Sequence, residues 1–441
     1  MIPEAARKRG LALAGVAATV HAAAWFGLAS DVAIVEEWFY SLAWWSYILL
    51  ADGLVHARLG RSLLLSRPRA FLALLPWSCA FWLFFELLNL RLQNWYYVGL
   101  PTARADRIVG MAIAFSTVLP GIFESADLLR AIGAGRSGKS PRAPARLRRW
   151  AAAARTPRLL LMAGAACLAL PLLQPRWFFP LVWVAILFLG EGLLARRGAR
   201  SFTTEAAAGR TGTALRMLGA GLLTGLLWES WNWDATSRWI YTVPFFEGGK
   251  LFEMPLPGIL GFLPFALEAW VFARVLAHFG WLPEWELQLG APAHAPKRWV
   301  PAALLAVAVS LPLLFLTDLR SVRGTVPRTA DLSVIDADQV RDFEERGLGR
   351  LRDLVAAADA GAATGLAPDL LAEARLMLVR GLGARGRCWL AHAGVHTIRS
   401  LADADPRTLI EALAGGTCPG PTPTPAEVRV WIAGARQSLA R

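Results

Sequence analysis

The sequence predicts an all-α polytopic membrane protein of about nine helices, built from two parallel four-helix repeats and followed by a small soluble helical tail. Three observations point to it. The apolar residues stand in unbroken runs of about twenty, the length that crosses a bilayer. A block from the first half of the chain recurs in the second, and the composition turns soluble only after Thr317. Of 441 residues, 55% are hydrophobic and 18% charged, with a mean hydropathy of +0.42. A soluble chain of this length would form two or three domains with about a quarter charged residues. The composition also excludes a disordered, collagen-like or coiled-coil protein, and four cysteines exclude a disulfide scaffold or a cysteine-ligated zinc framework. No short apolar stretch ending in a small-residue cleavage site stands apart, so no removable signal peptide is expected.

The apolar runs place helices near 11–30, 38–57, 70–90, 108–130, 159–175, 178–195, 213–233, 257–276 and 299–316. Charge orients them. The net charge is +13, but residues 318–441 hold 16 arginines against 15 acids, so about +12 belongs to the membrane part. Residues 130–158 carry nine positive charges and no acid, and further clusters stand at Arg58, Arg61, Arg67 and Arg69, and at Arg196, Arg197, Arg200 and Arg210. Arginine-rich short loops are retained in the cytoplasm, which explains the surplus better than nucleic-acid binding does. The expected location is a bacterial inner membrane, multi-pass, with a cytoplasmic N-terminus. The segments 31–37, 91–107, 174–177 and 234–256, rich in Trp, Tyr and Pro, then face outward, and an odd number of spans carries the tail to the outer side.

Residues 38–62 align without a gap on 177–201, with ten identities in 25 positions. Asp52 falls on Glu191, Gly53 on Gly192, Arg58 on Arg197 and Ser62 on Ser201. Downstream, Glu86-x-x-Asn89 matches Glu229-x-x-Asn232, Trp95-x-Tyr97 matches Trp239-x-Tyr241, and Pro120-x-x-x-Glu124 matches Pro264-x-x-x-Glu268. Four spans per copy is an even number, so both copies enter the membrane in the same sense, about a pseudo-twofold axis along its normal. The expected divisions are a first repeat at 1–131, a basic loop at 132–158, a second repeat at 159–278, a loop and ninth helix at 279–317, a linker at 318–350 and a tail domain at 351–441.

Each copy keeps three acids in apolar helix: Asp52, Glu86 and Glu124, then Glu191, Glu229 and Glu268. A carboxylate within a span costs at least about 2.5 kcal/mol, so such residues are candidates for function. Asp52 and Glu191 stand just before arginines and read as capping ion pairs with Arg58 and Arg197. Glu86 and Glu229 carry an Asn on the same helix face, and Glu124 and Glu268 follow a proline that kinks a helix and frees a carbonyl. For these four the competing role is interhelical glue. The second copy is the denser in Trp, acids and prolines, with Asp234, Arg238, Glu247, Lys250 and Glu253 adding charge on the outer side. The site candidates are therefore Glu229, Asn232, Asp234, Arg238, Tyr241 and Glu268, with Glu86, Asn89, Tyr97 and Glu124 as their counterparts. The six histidines form no metal-ligand spacing, although the paired Glu-x-x-Asn helices offer oxygen ligands to a hard cation; no phosphate-cradling loop or nucleophile elbow is present, and the cofactor stays open.

In the tail, Gly381-Leu382-Gly383, Leu390, Ala393-Gly394-Val395, Thr397-Ile398, Leu401 and Ala402-Asp403-Ala404-Asp405-Pro406 resemble the helix-hairpin-helix superfamily. More narrowly, they resemble a small helical domain of unknown function carried by many bacterial proteins. The resemblance implies a tight glycine hairpin whose following helix offers its amides to a phosphate, with Arg385 and Arg387 beside it. The near-zero charge of the tail speaks instead for a protein partner. On an outer side, Cys388 and Cys418 are free to form a disulfide.

Trp233-Asp234, Trp239-x-Tyr241 and the later proline–acid helix resemble the duplicated membrane domains of carotenoid (lycopene) cyclases. Those place two acids directly after a proline pair, whereas here Phe265, Ala266 and Leu267 stand between Pro264 and Glu268. The resemblance implies intramembrane carboxylates that protonate or deprotonate a lipid or isoprenoid substrate. The alternatives are a proton- or cation-coupled transporter, and a membrane scaffold that docks partners through its tail.

Overall fold

The computed structural model describes residues 2–134, 142–245, 250–287, 296–362, 365–419 and 421–440. Arg136, Lys139 and Glu247 lie outside the described residues. The chain is mostly helical and divides into two compact units. The membrane unit comprises residues 1–92, 108–234 and 248–316; the second unit comprises 93–107, 235–247 and 317–441.

In the membrane unit, α1 spans Glu4–Ala29, α2 Ala33–Leu59, the one-turn α3 Leu63–Ser66 and α4 Pro68–Leu92. The fourth expected span is two helices, α5 (Arg104–Phe115, whose first turn belongs to the second unit) and α6 (Val118–Ala131), with the break at Ser116–Thr117. The expected kink at Pro120 is thus shifted: Pro120 lies in the first turn of α6, where a missing N–H costs nothing. A short helix α7 (Ala145–Ala151) leads into α8 (Thr156–Leu173). The next span is also broken, into α9 (Pro175–Phe178), a 3-10 stretch over Phe179–Val184 and α10 (Ala185–Arg196). Then come α11 (Phe202–Ala207), α12 (Gly212–Asp234), a small hairpin pairing Lys250–Leu251 with Met254–Pro255, α13 (Leu256–His278) and α14 (Trp299–Ser321).

Among the described residues, seven helical segments are long and apolar enough to cross a membrane: 4–29, 68–92, 104–131, 156–173, 175–196, 256–278 and 299–321. The other two expected spans, α2 and α12, are helices of 27 and 23 residues. They fall outside that set in composition and not in length. Helix α1 packs on α2, α2 on α6, and α6 on α4; in the second half α8 packs on α10, α10 on α13, and α13 on α12.

The all-α expectation needs one amendment in the second unit. The Trp-Tyr segments are strands, β1 (Trp95–Val98) and β2 (Arg238–Tyr241), paired antiparallel with Trp95 opposite Tyr241, Tyr96 opposite Ile240 and Tyr97 opposite Trp239. Gly99 turns the chain out of β1 at φ 67°, where a Cβ would fall 2.2 Å from the Thr236 carbonyl oxygen.

The stretch read as a linker is folded. Helix α15 (Ala337–Glu345) is capped by Asp336, which accepts from Gln339 N at 2.7 Å. Its Phe343 joins Leu332, Leu351, Leu354, Ala374 and Met377 in one core, together with α16 (Leu351–Asp359) and α17 (Pro368–Met377). The remaining helices are α18 (Gly383–His392), α19 (Ile398–Ala402), α20 (Pro406–Ala414) and α21 (Pro425–Leu439). They enclose a second core around Trp389, Leu390, Leu401 and Trp431.

Candidate functional site

The six acids are buried, each 4% exposed or less, and they divide by what holds them. Asp52 accepts from Leu64 N at 2.6 Å, Leu65 N at 3.3 Å and Ser62 Oγ at 2.8 Å. It thereby caps α3. Glu191 accepts from Phe202 N at 2.9 Å, and from Thr203 N and Oγ1 at 2.7 and 2.6 Å, and so caps α11. This replaces the expected ion pairs, since helix-start amides hold both carboxylates while the Arg197 guanidinium lies 5.7 Å over the Phe279 ring. Four amides at a helix start lack intrahelical acceptors, and a carboxylate suits them by charge as well. Glu268 does similar work at the broken span, where its Oε1 accepts from Ile186 N at 2.6 Å at the start of α10.

Glu124 has a different environment. It faces Asp52, and no hydrogen-bond donor among the described residues reaches either of its oxygens. The neighbouring Ser125 Oγ lies 2.6 Å from Tyr47 Oη.

Glu86 and Glu229 sit among aromatic rings. Trp82 Nε1 donates to Glu86 Oε1 at 3.1 Å, and Tyr40 lies near Glu229. The rings around them contact one another closely: Trp82 and Trp228 at 5.0 Å between centroids, Trp44 and Trp228 at 5.9 Å, Trp44 and Trp231 at 4.9 Å, and Tyr40 and Trp228 at 6.4 Å. Asn89 and Asn232 are buried on the same helices as their acids, whereas Asp234 is exposed at the end of α12.

Tyr97, Arg238 and Tyr241 belong to the second unit, on β1 and β2. Tyr97 O accepts from Arg323 N at 2.8 Å, and Arg238 lies near Arg380, whose guanidinium burial pushes down to about 10, with the neighbouring positive charge of Arg238 adding to the effect. Among the described residues, no group of three or more His, Cys, Asp or Glu side chains is gathered to hold a metal ion.

Several participants escaped the sequence reading. Tyr40, Trp44 and Tyr47 line one face of α2 at helical spacing, and beyond the alignment of Trp44 with Trp183 that spacing was their signal. Equally unsignalled is a charged network beyond the helix ends. Arg200 bonds Glu205 at 2.8 Å and also Glu286, Arg274 bonds Glu284 at 2.8 Å and Glu286 at 3.2 Å, and Arg67 donates to the carbonyls of Glu284 and Glu286 at 3.1 and 2.7 Å. Burial pushes the Glu286 carboxyl up, against the pull of Arg200 and Arg274.

In the second unit, Gly381 (φ 80°) and Gly383 (φ 63°) turn the chain between α17 and α18, a backbone that favours glycine. The Gly381 carbonyl accepts from Trp431 Nε1 at 2.9 Å and Tyr96 Oη at 3.3 Å, so this turn is fastened to β1. Arg385 Nε donates to Pro419 O at 3.3 Å, and Arg387 pairs with Glu373 at 3.0 Å; both arginines marked for phosphate have partners inside the tail. Arg323 pairs with Glu427 at 2.8 Å, and Asp318 holds Arg107 at 2.5 Å and Arg104 at 3.1 Å. Cys388 and Cys418 form a disulfide.

Residues 338–438 match the family model of a domain of unknown function (DUF4332). The C-terminal region is a DUF4332 domain. The match begins within α15, well before the boundary at residue 351 read from the sequence. No curated protein and no solved structure matches the chain, and the helix-hairpin-helix and cyclase resemblances gain no further relative from these comparisons.

Proposed function

We propose that the chain is a multi-pass membrane protein, descended from a tandem duplication, whose Glu86 and Glu229 form an intramembrane acid–aromatic site for a lipophilic substrate, a lipid or an isoprenoid. The observation that carries this reading is the setting of those two acids. Helix-start amides hold Asp52, Glu191 and Glu268, whereas Trp82 donates to Glu86, Tyr40 lies near Glu229, and Trp82 and Trp228, on the helices of these two acids, contact each other and Trp44 contacts Trp228. A buried carboxyl shielded from water serves as a general acid or base. Indole faces attract a cationic centre, the kind of charge that protonating a polyene creates.

The duplication is supported by equivalent roles at aligned positions. Asp52 and Glu191 each bind the amide at one aligned position, Leu64 and Thr203 respectively, and Ser62 and Ser201 each precede the helix so capped. A Cβ on Gly53 would fall 2.6 Å from Gly10 O, and one on Gly192 2.8 Å from Pro157 O, so each glycine lets its helix meet the preceding one. In the antiparallel pair of β1 and β2, Tyr96 faces Ile240. A twofold axis through that pair carries Trp95 onto Trp239 and Tyr97 onto Tyr241, the matches read from the sequence.

The orientation follows from the same reading. The segments 93–107 and 235–247 share a compact unit with the tail, and the arginine-rich loops alternate with them along the chain. With those loops in the cytoplasm, the tail is extracytoplasmic, where a Cys388–Cys418 disulfide persists.

The test uses the full-length protein in proteoliposomes, incubated with a lipid extract of its native membranes and followed by mass spectrometry. The wild type should convert or retain a lipophilic species, and Glu229→Gln, expressed at the same level, should lose about a hundredfold or more of that conversion. A Glu229→Gln protein as active as the wild type overturns the site. The scaffold reading has its own support, because three acids fasten helices and the tail's turn at Gly381 is fastened to β1. It stands if the extract passes through the wild type unchanged.

A further inference from the structure

Asp52 ends a run of polar groups that reaches the surface. Ser66 is exposed, and its Oγ lies 3.5 Å from His56 Nδ1. The same nitrogen lies 3.2 Å from Ser62 Oγ, which donates to Asp52 Oδ2 at 2.8 Å. Glu124 meets Asp52 from α6, with Asp127 a turn further along that helix. His56, Ser62 and Glu124 are buried, Glu124 completely.

The two carboxyls are not equivalent. Three N–H and O–H donors converge on Asp52, which suits an anion. No donor among the described residues reaches Glu124, and an anion buried without donors is very costly. Two carboxyls that meet away from water bond to each other only through a proton.

We propose that Asp52 and Glu124 form a proton-holding carboxyl pair, reached from the surface at Ser66 through His56 and Ser62. Glu124 carries the proton and donates it to Asp52. When the pair gives up that proton, Ser66 Oγ takes another from solvent and passes its own hydroxyl proton to His56 Nδ1, which hands one on to Ser62 Oγ. The Ser62 hydroxyl proton passes to Asp52 Oδ2 and on to Glu124. One proton enters for each one lost, and nothing is oxidised or reduced.

The second copy lacks the parts. Ala195 stands at the position aligned with His56, Ile186 at that of Tyr47 and Ala269 at that of Ser125. There Glu268 takes the Ile186 amide and Glu191 takes three donors. The pair is therefore specific to the first copy, and it does not rest on the lipophilic-substrate reading.

The experiment is infrared difference spectroscopy of the full-length protein in lipid nanodiscs at neutral pH. Glu124→Gln should remove one protonated-carboxyl band that Glu268→Gln leaves in place. Transfer into heavy water should shift that band, at a rate slowed at least tenfold by His56→Ala or Ser62→Ala. Should Glu124→Gln fail to fold, Glu124→Asp should keep a protonated band at a displaced frequency. A spectrum unchanged by both Glu124 variants overturns the pair, and an exchange rate indifferent to His56 and Ser62 overturns the path. Neither result bears on conversion of a lipid at Glu229, which is measured separately.

Discussion

Asp52 and Glu191 differ by one methylene group, and the structure accommodates the difference by one amide. Asp52 reaches Leu64 N and Leu65 N, and the longer Glu191 reaches Phe202 N and Thr203 N. The same capping task is met in both aligned segments with different side chains. Glu191→Gln should lower the stability of the purified protein by about 1–3 kcal/mol, because its amide N–H groups then confront donors. Glu191→Asp should recover part of the loss, and Arg197→Ala should change stability by less than about 0.5 kcal/mol. Thermal unfolding followed by gel filtration measures all three, and a larger effect at Arg197 than at Glu191 would restore the ion-pair reading. The sequence made these acids conspicuous by their cost in apolar helix, but their partners are backbone amides, which carry no residue signature. For the same reason Glu268 was readable as a buried acid and not as the fastener of Ile186 N.

At the scale of the helices, hydropathy located nearly every segment, and the breaks depend on single residues. Pro180 opens the 3-10 stretch Phe179–Val184, whereas Ser41 holds the aligned position in the continuous α2. Proline removes an amide that the helix would use, so one substitution separates a straight span from a divided one. The segments around Trp95 and Trp239 were readable as aromatic but not as strands, because four residues of pairing depend on a partner strand far along the chain. The acidic run at 331–345 was misread as a linker: most of its residues are exposed, and Phe343 alone carries α15 into the core. Close helix contact is the most testable consequence. Gly53→Leu and Gly192→Leu should each abolish accumulation of folded protein, since each new Cβ would stand under 3 Å from backbone atoms. Gly15→Leu, on the helix α1 that Gly53 packs against but with open space around it, should accumulate normally. Equal tolerance of all three, read as monodisperse yield in detergent, would refute the close-packed helix pairs.

For the whole molecule, charge and disulfide chemistry constrain the same quantity from opposite ends. Residues before 318 hold about +12 of the +13 net charge, concentrated in short arginine-rich loops, and insertion retains loops of that composition on the cytoplasmic side. The tail is nearly neutral and cross-linked over 30 residues by Cys388–Cys418, a bond that a reducing cytosol would not preserve. Between these ends the count of spans decides. With α2 and α12 both crossing, the segments 93–107 and 235–247 emerge on the tail's side; if neither crosses, the tail still emerges opposite the N-terminus, but the segment 93–107 is left on the side of the N-terminus. That alternative conflicts with the second unit, in which Tyr96 bonds Gly381 and Tyr97 bonds Arg323. Reporter fusions separate the two counts. An enzyme that matures only in an oxidising compartment should be active when fused after Arg441 or inserted at Thr102, and inactive when inserted at Ala153. The tail cysteines should resist alkylation in intact cells until a reductant is added. Activity at Arg441 together with inactivity at Thr102 would remove α2 and α12 from the membrane, and with them the parallel arrangement of the two copies.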